Sequence, residues 1–213
     1  MRSRPGRKLR LKTTPEELRA AGILLDDTVA DGPINLAAIF GNSLHVEVEV
    51  GSGKGAFLLR QASTRPEINL LGIEWLAGYA ALAADRAYRA GLKNVRLLCA
   101  DAEQVFARCL ADGSVQRVHI YFPDPWPKRK HLRRRLIKPE FAEHLHRVLR
   151  LGGTAHIVTD HSEYFQQIRR VLEAVCGLAI IKPAEAEPVD SNFERKYTAE
   201  GREFYALAVI RNE

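Results

Sequence analysis

The stretch Glu49-Val50-Gly51-Ser52-Gly53-Lys54-Gly55 decides the fold. It closes the run Leu44–Val50, in which apolar and polar residues alternate as in a β-strand, and it opens a helical run that ends near Thr64. Glycines at such a turn let the backbone bend tightly and come close to a ligand, with the N–H groups of the next helix facing it. A strand, a glycine turn and a helix form the first unit of an open α/β sheet.

The same alternation continues along the chain. Asn69–Glu74 is a short apolar run ending in an acid, and Trp75–Ala90 is Ala-rich and helical up to Gly91. Asn94–Ala100 reads as a strand, Asp101–Leu110 as a helix and Arg117–Phe122 as a strand. Lys138–Arg150 is an amphipathic helix that Gly152-Gly153 should stop; Thr154–Thr159 and Ser162–Val175 follow as strand and helix. Leu178–Lys182 and Glu203–Ile210 are the last strand candidates, with no helix between them. Five strand–helix alternations predict a Rossmann-like α/β fold. Its seven-stranded sheet should be mainly parallel, with helices on both faces and an antiparallel edge strand. Upstream, Thr14-Pro15-Glu16-Glu17 is a helix start with a capping box, and a polar stretch from Asp26 to Asn35 leads into the core.

A chain of 213 residues fits one domain and needs no disulfide or metal staple. Its three cysteines are isolated, no apolar stretch approaches the ~18 residues of a membrane span, and the basic N-terminus lacks the apolar region of a signal peptide. The expected location is the cytoplasm, with no membrane association and no obligate protein partner. The charge is unevenly placed. Residues 1–12 carry Arg2, Arg4, Arg7, Lys8, Arg10 and Lys12; residues 126–138 carry Lys128, Arg129, Lys130, Arg133, Arg134, Arg135 and Lys138. These runs hold 13 of the 32 Lys and Arg residues and no acid, leaving 19 bases against 26 Asp and Glu elsewhere. An acidic globule with two basic segments suits a nucleic acid better than a plain solvated surface does. Residues 1–13 read as a flexible basic arm and 14–213 as a single domain.

The acids at the strand ends distinguish between cofactors. Gly51, Gly53 and Ala56 satisfy the loose dinucleotide pattern, but Glu49 just before them would repel a pyrophosphate. S-adenosylmethionine carries a cationic ammonium and sulfonium and no phosphate, so a carboxylate there is favourable. Glu74 would accept from both ribose hydroxyls, and Asp101 from the adenine amine with Ala102 beside the ring. Any one of these acids also reads as a helix cap, Asp101 most plainly. Three at successive strand ends favour S-adenosylmethionine, with S-adenosylhomocysteine as product.

After the fourth strand comes Pro123-Asp124-Pro125-Trp126-Pro127-Lys128, in which three prolines fix the backbone around Asp124 and Trp126. The bland reading is a rigid turn packed by Trp126. With the following Lys/Arg run, however, the element resembles the signature of the bacterial tRNA (guanine-N7-)-methyltransferases. The resemblance covers about residues 40–210 and includes Gly72-Ile73-Glu74, Asp101-Ala102, Thr159-Asp160 and Ser191-Asn192-Phe193-Glu194. It implies a class I methyltransferase domain acting on a guanosine of the tRNA variable loop. By position it implies that Glu49, Gly51, Gly53, Glu74, Asp101, Ala102 and Asp124 contact the cofactor. Asp124 would also be catalytic, and Lys128, Asp160, Ser191, Asn192, Phe193 and Glu194 would bind substrate. Ser191 stands where the family more often has Thr, and the hydroxyl is kept.

The chemistry agrees. Guanine N7 has an in-plane lone pair and no proton, so the task is alignment rather than base catalysis. A carboxylate at Asp124 would orient the guanine or stabilise its developing positive charge. Trp126 or Tyr121 would stack on the base, with a core role for Tyr121 equally open, and the basic run would hold flanking phosphates. Competing readings are a non-catalytic RNA-binding module and a dinucleotide oxidoreductase; the full set of acids opposes the first and Glu49 the second. The seven histidines and the cysteines show no metal-ligand spacing, so no metal is expected, and His161 falls near the site.

Overall fold

The computed structural model describes residues 10–182 and 203–213. Its seven strands are β1 (Val46–Val50), β2 (Asn69–Glu74), β3 (Val95–Cys99), β4 (Val115–Tyr121), β5 (Leu149–Thr159), β6 (Leu178–Ile181) and β7 (Tyr205–Arg211). They form one sheet in the order β3-β2-β1-β4-β5-β7-β6. Every pairing from β3 to β5 is parallel, and β7 runs antiparallel to both β5 and β6. The antiparallel pairing is thus confined to that edge of the sheet: β7 is inserted between β5 and the outermost strand β6 and runs against both.

The helices are α1 (Pro15–Ala20), α2 (Leu36–Phe40), α3 (Ala56–Thr64), α4 (Ala77–Arg89), α5 (Ala102–Gln104), α6 (Pro139–Val148) and α7 (Ser162–Glu173). One core cluster joins Leu18, Leu58, Ala80 and Ala84 of α1, α3 and α4 to Leu70 and Leu97. The other joins Phe141, Leu145, Ile168 and Leu172 of α6 and α7 to Val118, Ile120 and Ile157. The sheet is thus covered on both faces, as parallel strands require. Local chemistry starts the elements: the Thr14 hydroxyl accepts from Glu17 N at 3.2 Å, and the Glu17 carboxylate accepts from Thr14 N at 2.8 Å. Leu11 packs on the first of these clusters, and Thr13 N donates to Asp85 at 3.0 Å.

Two expected boundaries differ. Helix α6 ends at Val148 and β5 starts directly at Leu149, so Gly152-Gly153 lies inside the strand instead of terminating the helix. The pairing with β4 shifts register between Val115 and Arg117. A Cβ on Gly153 would stand 2.8 Å from the Arg150 carbonyl oxygen and 3.0 Å from that of Gln116, so these glycines serve a bulge. The run Asp101–Leu110 is not one helix either: after α5 the backbone widens into a π turn, Val105–Cys109. Arg147 reaches across and donates to the carbonyls of Phe106 and Leu110.

Candidate active site

The site follows from the strand order. The chain runs from β1 outward through β2 to β3, then returns to place β4 on the other side of β1. Open α/β sheets bind ligands at such a reversal, outside the carboxyl ends of the strands. All the expected residues within the described range lie at that end: Glu49 on β1 and the glycine turn after it, Glu74 on β2, Asp101 and Ala102 after β3, Asp124 and Lys128 after β4, and Asp160 after β5.

The glycine turn is tied to the neighbouring strand. Glu74 Oε2 accepts from Gly53 N at 2.8 Å, and Oε1 accepts from Leu76 N at 2.8 Å. Gly51 and Gly53 have φ of 75° and 54°, and a Cβ on Gly51 would meet nothing within 4 Å, so the turn borders open space. Gly55, by contrast, is a packing residue: its Cβ would stand 2.6 Å from Leu59 Cδ1 and 2.9 Å from Ala83 Cβ. Asp101 caps α5, accepting from Glu103 N at 2.8 Å, so its cap reading is realised in the fold.

Glu49 is only 5% exposed, and its Oε2 has no hydrogen-bond partner. Burial, reinforced by the Glu74 charge, pushes its carboxyl well above the usual range, against one hydrogen bond from the Leu58 backbone. The Ser52 hydroxyl is also buried without a partner. A buried carboxylate next to a second acid, with one oxygen left unpartnered, is suited to a cationic ligand and opposes a phosphate.

The proline segment is held in an unusual backbone. Phe122 and Trp126 have φ of 51° and 41°, a region side-chain-bearing residues seldom occupy. Phe122 N extends the sheet by donating to Val158 O at 2.7 Å. Asp124 is exposed between the two strained residues. Lys128 is exposed at the head of a 3₁₀ turn, Arg129–Arg134. Trp126 packs within its own loop, with the Arg134 guanidinium 4.9 Å from its ring centre and His131 5.8 Å away.

With that geometry in view, sequence comparison is decisive. A family described as "Putative methyltransferase" matches residues 43–207. The tRNA (guanine-N(7)-)-methyltransferase of Myxococcus xanthus is 36% identical over 184 residues, covering 84% of this chain and 89% of that one. The chain belongs to the tRNA (guanine-N(7)-)-methyltransferase family. The family member of Pseudomonas entomophila is 34% identical over 186 residues, covering 84% and 77%. That of Nitrosococcus oceani is 44% identical over 147 residues; this match takes in 68% of the chain and 62% of the relative's length. Among solved structures, a single-residue mutant of the 16S rRNA (adenine(1408)-N(1))-methyltransferase of Catenulisporales acidiphilia, with S-adenosylmethionine as cosubstrate, superimposes with a TM-score of 0.55. It does so at 18% identity, over 97% of this chain and 95% of that one. An S-adenosylmethionine-dependent O-methyltransferase of Thermotoga maritima gives 0.54 at 15% identity, over 95% and 67%. Both share the class I methyltransferase fold.

Of the family's expected substrate residues, Ser191, Asn192, Phe193 and Glu194 lie outside the described residues. Asp160 is half-buried and already engaged. His161 next to it caps α7, its Nδ1 accepting from Tyr164 N at 3.2 Å. Among the described residues no group of His, Cys, Asp or Glu is arranged to hold a metal, and no helix is long and apolar enough to cross a membrane.

Three features escaped sequence reading. First, Glu47, a polar residue of the β1 alternation, is fully buried. It accepts from Arg65 Nη2 at 2.8 Å and from His119 Nε2 at 2.9 Å, while His119 Nδ1 lies 2.8 Å from the Tyr121 hydroxyl. A carboxylate can only accept, so His119 donates to it through Nε2, while Nδ1 faces the Tyr121 hydroxyl. Tyr121 also packs against Phe57, edge-on with ring centres 4.8 Å apart. Burial holds the adjacent His156 down at about 4, with help from His119, so it is neutral at pH 7. Second, Trp75, 69% exposed directly after Glu74, stands outside α4 at the rim of the site. Third, the basic run is not uniformly a surface feature: Lys138 Nζ is bonded to Glu103 at 2.8 Å, and Arg135 is buried. Lys128, Arg129, Lys130, Arg133 and Arg134 remain exposed.

Proposed function

We propose that this chain transfers a methyl group from S-adenosylmethionine to N7 of a guanosine in tRNA, in the variable loop. The observation that carries the reading is the buried Glu49 carboxylate beside Glu74 at the glycine turn, whose Oε2 has no partner and which a cationic, phosphate-free cofactor suits. When bound, S-adenosylmethionine supplies an electrophilic methyl on a sulfonium. Glu49, Gly51 and Gly53 hold its charged end, Glu74 the ribose, and Asp101 with Ala102 the adenine. Glu74 keeps lone pairs for the hydroxyls while it accepts from Gly53 N and Leu76 N.

On the substrate side, the prolines hold Asp124 facing the mouth of the site. Its carboxylate accepts from the guanine's N1–H and amino group and offsets the positive charge that develops on the ring. Lys128, with the exposed arginines behind it, grips flanking phosphates, and the basic arm of residues 1–13 adds to that hold. Asp160 and Ser191–Glu194 complete the substrate side. The reaction needs no proton removed at N7, so these groups position and stabilise rather than act as a base.

Cofactor affinity should depend on pH through Glu49. Its folded-state pKa is raised, so stability falls as pH rises above the ordinary value of 4.5, as the buried carboxyl loses its proton. A cation at the site favours the ionised form. Below the raised pKa, binding must expel a proton, so affinity for S-adenosylmethionine should climb about tenfold per pH unit and then level off. Glu49→Gln should bind more weakly and without this dependence, as calorimetry over a pH series from 4.5 upward would show. A wild-type affinity independent of pH would place the cation elsewhere.

The function itself is tested with labelled S-adenosylmethionine and unmodified tRNA transcripts. Label should enter wild-type tRNA and be lost when the variable-loop guanosine is replaced by adenosine. Equal incorporation into both transcripts would refute the assigned position.

A further inference from the structure

Arg135 sits inside the basic run, where the sequence pattern calls for a phosphate contact, yet it is buried, at 1% exposure. A buried guanidinium is tolerated when its nitrogens are engaged, and here each of the three donates a hydrogen bond. Nε donates to Pro125 O at 2.7 Å, Nη1 to Gln167 Oε1 at 2.6 Å and Nη2 to Glu163 Oε1 at 3.2 Å. Its guanidinium carbon lies 4.8 Å from the centre of the Tyr164 ring. The Tyr164 hydroxyl in turn accepts from Ile137 N at 3.1 Å, and Gln167 Nε2 donates to Ile137 O at 3.2 Å.

The proline loop needs such a partner. Pro123, Pro125 and Pro127 have no N–H, so the loop cannot pin itself with a backbone ladder. Two of its residues, Phe122 and Trp126, occupy strained backbone that persists only where the surroundings over-determine it. Pro125, whose carbonyl Arg135 holds, immediately follows Asp124. Glu163 and Gln167 are one turn apart near the start of α7, just past Asp160. One guanidinium therefore sets the distance between the segment carrying Asp124 and the segment carrying Asp160.

We propose that Arg135 is a positioning residue for methyl transfer, clamping the Asp124 loop to α7, and that it makes no tRNA contact. The proposal rests on the methyl-transfer reading above, and its test separates the two. In the full chain, Arg135→Lys keeps the charge and loses the fork. It should lower kcat about 100-fold, the cost of a small misplacement of reacting groups. Affinity for tRNA, and the salt dependence of that affinity, should stay as in wild type. A second variant, Glu163→Gln with Gln167→Ala, leaves Arg135 in place and alters only its α7 partners. It should lower kcat in the same direction by less, and it decides the matter if Arg135→Lys does not fold.

A readout without activity uses the two tryptophans. In a Trp75→Phe background Trp126 is the remaining one. Its quenching by acrylamide should rise in Arg135→Lys. If wild type transfers no methyl group, the functional reading fails while the quenching arm still reports on the clamp. The clamp is refuted if Arg135→Lys weakens tRNA binding and reduces the salt slope by about one while kcat at saturating tRNA is kept, since that marks a phosphate contact. Unchanged kcat with unchanged quenching refutes it as well.

Discussion

Replacing Asp124 by alanine should lower kcat about 10²–10³-fold and leave the Kd for tRNA within a few-fold of wild type. The physical reason is the division of labour at the site. In the function proposed above, affinity for tRNA would come mainly from exposed cations such as Lys128, Arg129 and Arg133 on flanking phosphates. Asp124 is a single exposed acid, held between two residues of strained backbone, and it adds nothing to phosphate binding. What it offers is a fixed negative charge where a neutral guanine becomes cationic, and that interaction strengthens as the reaction proceeds. Asp124→Asn separates the two contributions. The amide oxygen still accepts a hydrogen bond and so orients the base, but the charge is gone. An asparagine variant as slow as the alanine variant assigns the effect to charge, whereas recovery of most of the rate assigns it to orientation. If Asp124→Ala lost tRNA binding in proportion to rate, a role in the chemical step would be wrong.

The second large effect concerns stability. Glu47→Ala should destabilise the chain by about 3–5 kcal/mol, because it leaves charged and polar partners buried without their acceptor. Arg65 and His119 bond directly to Glu47, and Arg117 Nη1 lies 3.9 Å away. Burial by itself would raise this carboxyl, but hydrogen bonding and charge from His119, with Arg117 and Arg65, bring it down to about 2. A depressed folded-state pKa means the stabilisation is fully present above the ordinary value near 4.5. It is lost as pH falls from there toward 2. The wild-type urea midpoint should therefore drop over this acidic range by more than that of the alanine variant. Parallel pH profiles for the two proteins would show that the network contributes no acid-sensitive stability.

Much of the fold was legible because short-range chemistry and global topology agree. The capping box at Thr14 and Glu17 forms as read, and Asn69–Glu74 is a strand over the same six residues. The glycine turn, the strand-end acids and the proline loop gather at one edge because a mainly parallel sheet sends every strand end there. Side-chain surroundings were less legible. Glu47 and Glu49 occupy equivalent positions in the β1 alternation, yet one is satisfied by Arg65 and His119 and the other is left with an orphaned oxygen. Only tertiary packing separates them. Likewise nothing in Lys-Arg-Lys-His-Leu-Arg-Arg-Arg marks Arg135 as interior. The 3₁₀ turn at Arg129–Arg134 leaves most of its neighbours outside and carries it under the proline loop. Gly152-Gly153 misled for a related reason, since glycine marks a bulge as readily as a helix end.

The most direct measurement is to incubate the chain with S-adenosylmethionine and unmodified tRNA, then cleave the RNA with chemistry selective for N7-methylguanosine and map the break. A single new cleavage is expected at a guanosine of the variable loop, dependent on both the chain and S-adenosylmethionine. Methyl incorporation without such cleavage would place the group on another atom and contradict the central claim.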